Sequence, residues 1–192
     1  LFNLAKELRK ITKPTIIAAN KMDIEGSLYN LDRLKEAFPD YKIIPCSGDS
    51  EIALREAAKH NLIKYIPGNN KFEIIGKLNQ KQKSALEFIQ KNVLDKFSST
   101  GIQDVLNIIV FDVLKYIAVF PGGVNKLTDS EGRVLPDCFL MPKDSTTLDF
   151  AFKLHTDFGK NFIRAVDVKR KLTVGKDCKL KNRDVIEIVA NR

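Results

Sequence analysis

The hydrophobic positions change period several times along the chain, and each change predicts an element. Leu4, Leu8 and Ile11 recur at helical spacing and stop at Thr12-Lys13-Pro14, so a first helix covers about residues 1–11. Thr15-Ile16-Ile17-Ala18-Ala19 follows as an apolar β-type run, then a helix-like stretch from Leu28 to Phe38, then Tyr41-Lys42-Ile43-Ile44-Pro45 as the next strand. Strand, helix and strand in that order predict a parallel α/β unit. From Glu51 to His60 the period is helical again, with Ser50 as N-cap, and Pro67-Gly68-Asn69-Asn70 breaks the chain. Leu86, Ile89, Val93 and Phe97 place one apolar stripe on a helix over 80–97, whose lysine-rich side reads as a solvated face. Ile102 to Ala118 is apolar on nearly every side, which predicts a helix buried all round against the sheet.

Beyond Val119 the pattern shortens. A turn-rich opening, Phe120-Pro121-Gly122-Gly123 and then Asp129 to Gly132, leads to a strand at Cys138 to Met141 and a helix at Thr146 to His155. Ser145 or Thr146 caps that helix, and Leu148, Phe150, Ala151, Phe152 and Leu154 supply its packing. Strands follow at Phe162 to Val168 and Val185 to Val189. Mixed strands around one helix fit a β-grasp-like α+β fold. The predicted organisation is a partial parallel α/β portion over 1–118, with a helical insertion at about 50–99, followed by an α+β domain over 119–192.

Asn20-Lys21-Met22-Asp23 directly follows the first strand, at the carboxyl edge where ligands of open α/β sheets sit. Its residue types suit a guanine reader. Guanine shows N1–H and its exocyclic amine side by side, and the single carboxylate of Asp23 can accept from both, whereas adenine offers no such pair. Asn20 ties the loop to its neighbours through its amide, and the aliphatic stem of Lys21 covers the base while the ammonium stays in water. Alone, the tetrapeptide fits a solvated turn equally well. Cys46-Ser47-Gly48 after the second strand adds to the functional reading, because it has the form of the Ser-Ala-Lys-like loop that closes over the base. There a backbone N–H meets O6 and the Ser47 hydroxyl braces the turn. Gly48 and Asp49 replace the usual Ala and Lys, so backbone recognition survives and the last side-chain contact is lost.

No Gly-x-x-x-x-Gly-Lys-Ser/Thr phosphate loop occurs in the sequence: at Gly76-Lys77, for instance, Lys71 takes the first Gly position and Leu78 the hydroxyl position. Asp-x-x-Gly, the pattern of a γ-phosphate sensor, matches at Asp23 to Gly26 and at Asp129 to Gly132, neither after a strand in the right order. These 192 residues therefore read as the carboxyl-terminal part of a longer GTPase, with no catalytic residue and no metal ligand of their own. GTP is the expected ligand, and Mg²⁺ is expected in the intact protein only.

A resemblance covers most of the rest. Leu135-Pro136, Met141 to Thr146, Asp149 to Gly159, Phe162 to Ala165 and Asp184 to Ile188 look like a TGS domain, the β-grasp module of threonyl-tRNA synthetases, certain translation-associated GTPases and stringent-response synthetases. Asn182-Arg183 precedes Asp184 where the module often has a Gly. With Asn20 to Asp23 and with Thr100-Gly101-Ile102-Gln103 opening the apolar helix, the chain resembles an archaeal YchF-type member of the Obg-related GTPases. The resemblance implies GTP hydrolysis and a translation or ribosome setting. Some members of that branch replace the guanine motif and prefer ATP; the intact Asn-Lys-x-Asp argues for GTP.

Charge narrows the partners. The net charge of +8 is densest from Lys160 to Arg183, where nine basic residues meet only Asp167 and Asp177. Lys160, Arg164, Lys169, Arg170 and Lys171 are the candidate contacts to a phosphate backbone, with a merely solubilising face as the alternative. Two classes compete: a GTP-hydrolysing switch with an effector domain, and an RNA- or ribosome-binding module without hydrolysis. No apolar run reaches the roughly 18 residues of a membrane span. Cys46, Cys138 and Cys178 lack Cys-x-x-Cys spacing and read as buried reduced thiols, and the expected setting is cytoplasmic. The strand at Thr15 to Ala19 is expected to leave one apolar edge unpaired, to be met by self-association, by the first helix draping over it, or by aggregation.

Overall fold

A computed structural model describes residues 1–124, 127, 128, 131–135 and 137–191, with Lys10 described by its backbone alone. Asp129 of the downstream Asp-x-x-Gly match and Pro136 of the TGS-like pattern lie outside the described residues. The chain forms two compact units, Leu1–Ile109 and Val110–Arg192.

The first unit opens with α1 (Phe2–Thr12), whose Phe2, Leu4, Leu8 and Ile11 are all exposed. The helix therefore does not drape over the strand that follows. β1 (Ile16–Ala19), α2 (Ser27–Ala37) and β2 (Lys42–Pro45) make the predicted strand, helix, strand unit. β1 and β2 pair in parallel from Ile16↔Lys42 to Ala19↔Pro45, and Leu31 of α2 and Ile44 of β2 are buried.

α3 (Gly48–Lys59) starts earlier than expected. Its N-cap is Ser47, in extended conformation with its side chain accepting from the Ser50 amide, so Ser50 lies inside the first turn rather than capping it. A hairpin of β3 (Ile63–Tyr65) and β4 (Phe72–Ile74) closes around Pro67-Gly68-Asn69-Asn70, which sequence reading took as a simple break. α4 (Gln80–Ile89) begins on a capping box between Asn79 and Gln82, widens into a π-helical segment over Gln90–Leu94, and ends with α5 (Asp95–Phe97). The widened segment lets the neighbours Val93 and Leu94 both enter a core with Leu54, Ile63, Leu86 and Ile89.

Gly101 begins the next helix at φ +78, with the Pro45 carbonyl oxygen 2.0 Å from where a Cβ would stand, so only glycine fits there. That helix corrects the sequence reading. α6 (Ile102–Asn107) and the π-helical segment Ile108–Val113 hold no buried residue, and Leu106, Phe111 and Leu114 are exposed. Lys115 turns out at φ +56, and Tyr116–Pro121 is a strand. Uniform apolarity does not distinguish helix from strand, and the β-branched and aromatic side chains of Tyr-Ile-Ala-Val-Phe settle into the sheet.

The second unit is a five-stranded sheet in the order β6-β5-β9-β7-β8, built from β5 (Tyr116–Pro121), β6 (Phe139–Pro142), β7 (Phe162–Asp167), β8 (Leu172–Val174) and β9 (Asp184–Ala190). β5 and β9 run parallel and the other neighbours antiparallel. β5 begins ahead of Val119, where sequence reading placed the division. α7 (Thr147–Leu154) and the short α8 (Thr156–Lys160) complete the unit; α8 and β8 went unpredicted. Phe150 and Val119 reach zero exposure in a core with Ile117, Met141, Ala165, Leu180 and Ile186, whereas Phe152 stays half-exposed. Thr146 caps α7 in a capping box: Asp149 N donates to Thr146 Oγ1 at 3.2 Å and Thr146 N donates to Asp149 Oδ2 at 2.7 Å. Arg183 takes φ +68 with no glycine to help, held by its N–H on the Ala118 carbonyl while Asn182 Oδ1 accepts from Ala118 N. The three thiols are free, but only Cys46 is buried; Cys138, just ahead of β6, is exposed and Cys178 is half-buried, so the reading of all three as buried fails.

Candidate functional site

The ends of β1 and β2 bring the two predicted loops together. Cys46 N donates to the Ala19 carbonyl at 2.9 Å and Met22 N to the Cys46 carbonyl at 3.1 Å, so the β-pairing continues one step past both strands. Lys21 then turns at φ +70. Asn20 Oδ1 accepts from its neighbour Lys21 N at 2.8 Å and, 28 residues on, from Gly48 N at 3.0 Å. Asn20 is thus the tie between the loops. The Gly48 N–H, in the loop whose backbone was expected to meet O6 of a base, goes to Asn20.

Asp23 is half-buried, and its Oδ1 accepts from Ser47 Oγ at 2.7 Å; its Oδ2 has no hydrogen-bond partner among the described residues. Ser47 is fully buried and stands 2.8 Å from Ser50 Oγ. A hydroxyl has one proton, so with Ser47 donating to Asp23, Ser50 donates to Ser47. Ser27 Oγ fixes the far side of the loop on the Met22 carbonyl at 3.0 Å. Lys21 Nζ lies 3.4 Å from Asp49 Oδ2, both exposed. The position that lost the usual Lys therefore gains a contact: its carboxylate meets the ammonium of the opposite loop at the rim. An open cleft of ≈ 340 Å³, lined in part by Asn20, Lys21, Ile24 and Leu31, lies beside the Asn20 loop toward α2.

Beneath this corner is a group that sequence reasoning missed. Glu51 is buried and accepts from Arg55 Nε at 2.6 Å, from Tyr65 OH at 2.9 Å and from Thr100 Oγ1 at 2.6 Å. Burial by itself raises its pKa, but the bonds from Thr100, Arg55 and Tyr65 outweigh burial and hold the carboxyl below its ordinary value. Burial, then the bond to Glu51, pushes Tyr65 up to about 12. Thr100 in turn accepts the Ser47 N–H on its carbonyl at 2.8 Å. No sequence signal marks this Glu, since a Glu in the first turn of a helix ordinarily faces water.

The five basic candidates come from three places in the second unit. All are exposed, but Lys160 ends α8 and Arg164 lies early in β7, while Lys169, Arg170 and Lys171 form the turn after it. At about 3.3 Å per residue, Arg164 and Lys169 are separated by roughly 16 Å of chain. Lys169 Nζ donates to the Arg183 carbonyl, and Arg170 pairs with buried Asp167 at 3.4 Å.

A parallel pair carrying Asn-Lys-x-Asp at its carboxyl edge, followed by a β-grasp sheet, defines a GTPase-type α/β portion joined to a TGS domain. The model for the Obg-like GTPase YGR210-like, G4 motif-containing domain matches residues 18–123, and the TGS domain model matches residues 127–190. The chain belongs to this YGR210-like family of Obg-like GTPases. An uncharacterized GTP-binding protein of Methanocaldococcus jannaschii is 47% identical over 193 residues, covering 99% of this chain and 48% of that protein. The ribosome-binding ATPase YchF of Buchnera aphidicola is 28% identical, covering 86% of this chain and 37% of that protein. In the crystal structure of a GTP binding protein from Pyrococcus horikoshii, 42% identical, the TM-score is 0.67 over 97% of this chain and 48% of that one. The Schizosaccharomyces pombe YchF GTPase, at 17% identity and a TM-score of 0.55, shares the fold over 97% of this chain and 46% of its own. The chain thus spans about half the length, or less, of these relatives.

Proposed function

We propose that residues 1–118 are the guanine-recognition portion of a GTP-hydrolysing switch and residues 119–192 its effector arm. The observation that carries this reading is the Asp23 carboxylate, with one oxygen fixed by Ser47 and the other unengaged, at a corner where Asn20 locks both loops. A guanine edge offers two N–H donors to that carboxylate, and the stem of Lys21 is expected to cover the face of the base. The chain alone hydrolyses no GTP, because phosphoryl transfer depends on phosphate-positioning groups and Mg²⁺ that this sequence has no motif to hold. In the intact protein Asp23→Asn weakens GTP and relaxes base choice; competition between GTP and ATP that leaves guanine preference unchanged removes the role of Asp23.

A second reading concerns the effector arm. The ribosome binding of the Buchnera relative and the exposed turn at Lys169, Arg170 and Lys171 support a cytoplasmic protein that contacts ribosomal RNA through phosphates. Lys160 and Arg164 are the further candidate contacts on the same unit. Exchanging Lys169, Arg170 and Lys171 for Glu abolishes co-sedimentation with ribosomes at moderate salt and leaves GTP binding intact. Unchanged co-sedimentation makes the turn a solvated face and favours a protein partner. Among the described residues no helix is long and apolar enough to cross a membrane. Because β1 pairs only with β2 among the described residues and α1 leaves it uncovered, the chain is expected to self-associate, and a monomer by light scattering contradicts this.

A further inference from the structure

We propose that Thr100, Glu51 and Tyr65 are positioning residues that set the aim of Asp23 and couple the base-reading corner to the helical insertion; the proposal rests on the guanine reading above. The connection is continuous. Ser47 Oγ reaches Asp23 only if the Ser47 backbone is held, and it is held twice: its N–H donates to the Thr100 carbonyl at 2.8 Å and its carbonyl accepts from Glu51 N at 3.1 Å. Thr100, 49 residues from Glu51, is fixed by its own hydroxyl on Glu51 Oε2 at 2.6 Å. The same oxygen takes Tyr65 OH from β3 at 2.9 Å, and Oε1 takes Arg55 Nε. Displacing one carboxylate therefore loosens the Thr100 turn, the first turn of α3 and the hairpin strand together.

The energetics favour a geometric role. Ser47, Ser50, Glu51 and Thr100 are all buried, and among the described residues no buried side-chain nitrogen or oxygen lacks a partner. Burying a carboxylate is expensive, and an apolar side chain of the same volume often stabilises a fold as well or better. What a satisfied network supplies is a single arrangement, because its hydrogen bonds are short and directional. Here that arrangement ends on Asp23.

The test compares guanosine with inosine, which lacks the exocyclic amine and so reads how well Asp23 is aimed at both donors. Titrations of the 192-residue chain followed by amide NMR give both affinities, and hydrogen exchange of the Ser47 amide reads the network without ligand. Thr100→Val and Glu51→Gln reduce the guanosine preference by about fivefold, the size of one net hydrogen bond, and speed Ser47 exchange. Thr100→Ser restores both. Leu86→Ala, in the insertion core, lowers the melting temperature and changes neither. An unchanged preference and unchanged Ser47 protection in Thr100→Val and Glu51→Gln, with preference lost in Asp23→Asn, overturns the relay alone. A chain that binds guanosine no better than adenosine at millimolar concentration, or whose preference survives Asp23→Asn, overturns the base reading and the relay with it.

Discussion

The two units hold their shape by different means. In the TGS unit the sheet and α7 enclose an apolar core, with Phe150, Val119 and Ala165 at zero exposure. In the first unit the apolar cluster lies in the insertion, around Leu54, Ile63, Leu86 and Val93, while the corner that carries Asp23 is held by polar atoms. Van der Waals packing is non-directional and tolerates small shifts, whereas a chain of hydrogen bonds specifies the direction of a carboxylate. The corner that carries Asp23 is built on the second principle.

The largest expected effect breaks one side of the comparison only. Phe150→Ala leaves a cavity in the TGS core and costs about 3–5 kcal/mol, read as a lower melting transition of that unit. Amide shifts of Asp23 and Ser47 stay in place; if they move as much as those of α7, the units do not melt independently. Next, Glu51→Gln costs about 1.5–3 kcal/mol in the first unit, because a buried carboxylate loses charge-assisted bonds. Acid gives the same result. The folded pKa of Glu51 lies below its ordinary 4.5, so its contribution is present above that value and is lost as pH falls through the lower folded value. Urea midpoints of wild type should converge on those of the Gln variant below about pH 4, the unperturbed range for Glu. Parallel curves down to pH 2 contradict this.

A smaller effect sharpens the comparison on the TGS side. Thr146→Ala removes the capping box of α7 and costs about 1 kcal/mol, with Thr146→Ser nearly neutral by thermal denaturation. The smallest concerns the rim pair. Asp49→Asn removes the exposed partner of Lys21 and changes stability by about 0–1 kcal/mol, an effect that disappears in high salt. A loss that persists in molar salt shows that Asp49 acts by more than its charge.

Much of the architecture was legible in the chain. The strand, helix, strand order, the stripe of Leu86, Ile89, Val93 and Phe97, and the TGS pattern are local or periodic signals. The two loops that meet through Asn20 were legible too, since Asn20 to Asp23 and Ser47 to Gly48 are contiguous words at strand ends. The misreadings arose where composition is ambiguous. Ile102 to Ala118 is apolar on nearly every side, and Lys115 at φ +56 divides it into helix and strand. Ser47 and Ser50 are both good caps, and the choice between them depended on where β2 delivered the chain.

The sequence by itself determined which short segments are strands, which are helices, and which residue types stand at the strand ends, because those follow from period, turn chemistry and local spacing. Only the tertiary structure decided that Asn20 closes on Gly48, that Ser47 spends its one proton on Asp23, and that Glu51 is a buried acceptor for Thr100 and Tyr65. It also decided that the Lys169 ammonium reaches the Arg183 carbonyl. The reason is distance along the chain: these partners lie 14 to 49 residues apart, and directional bonds between remote residues leave no mark on the local pattern.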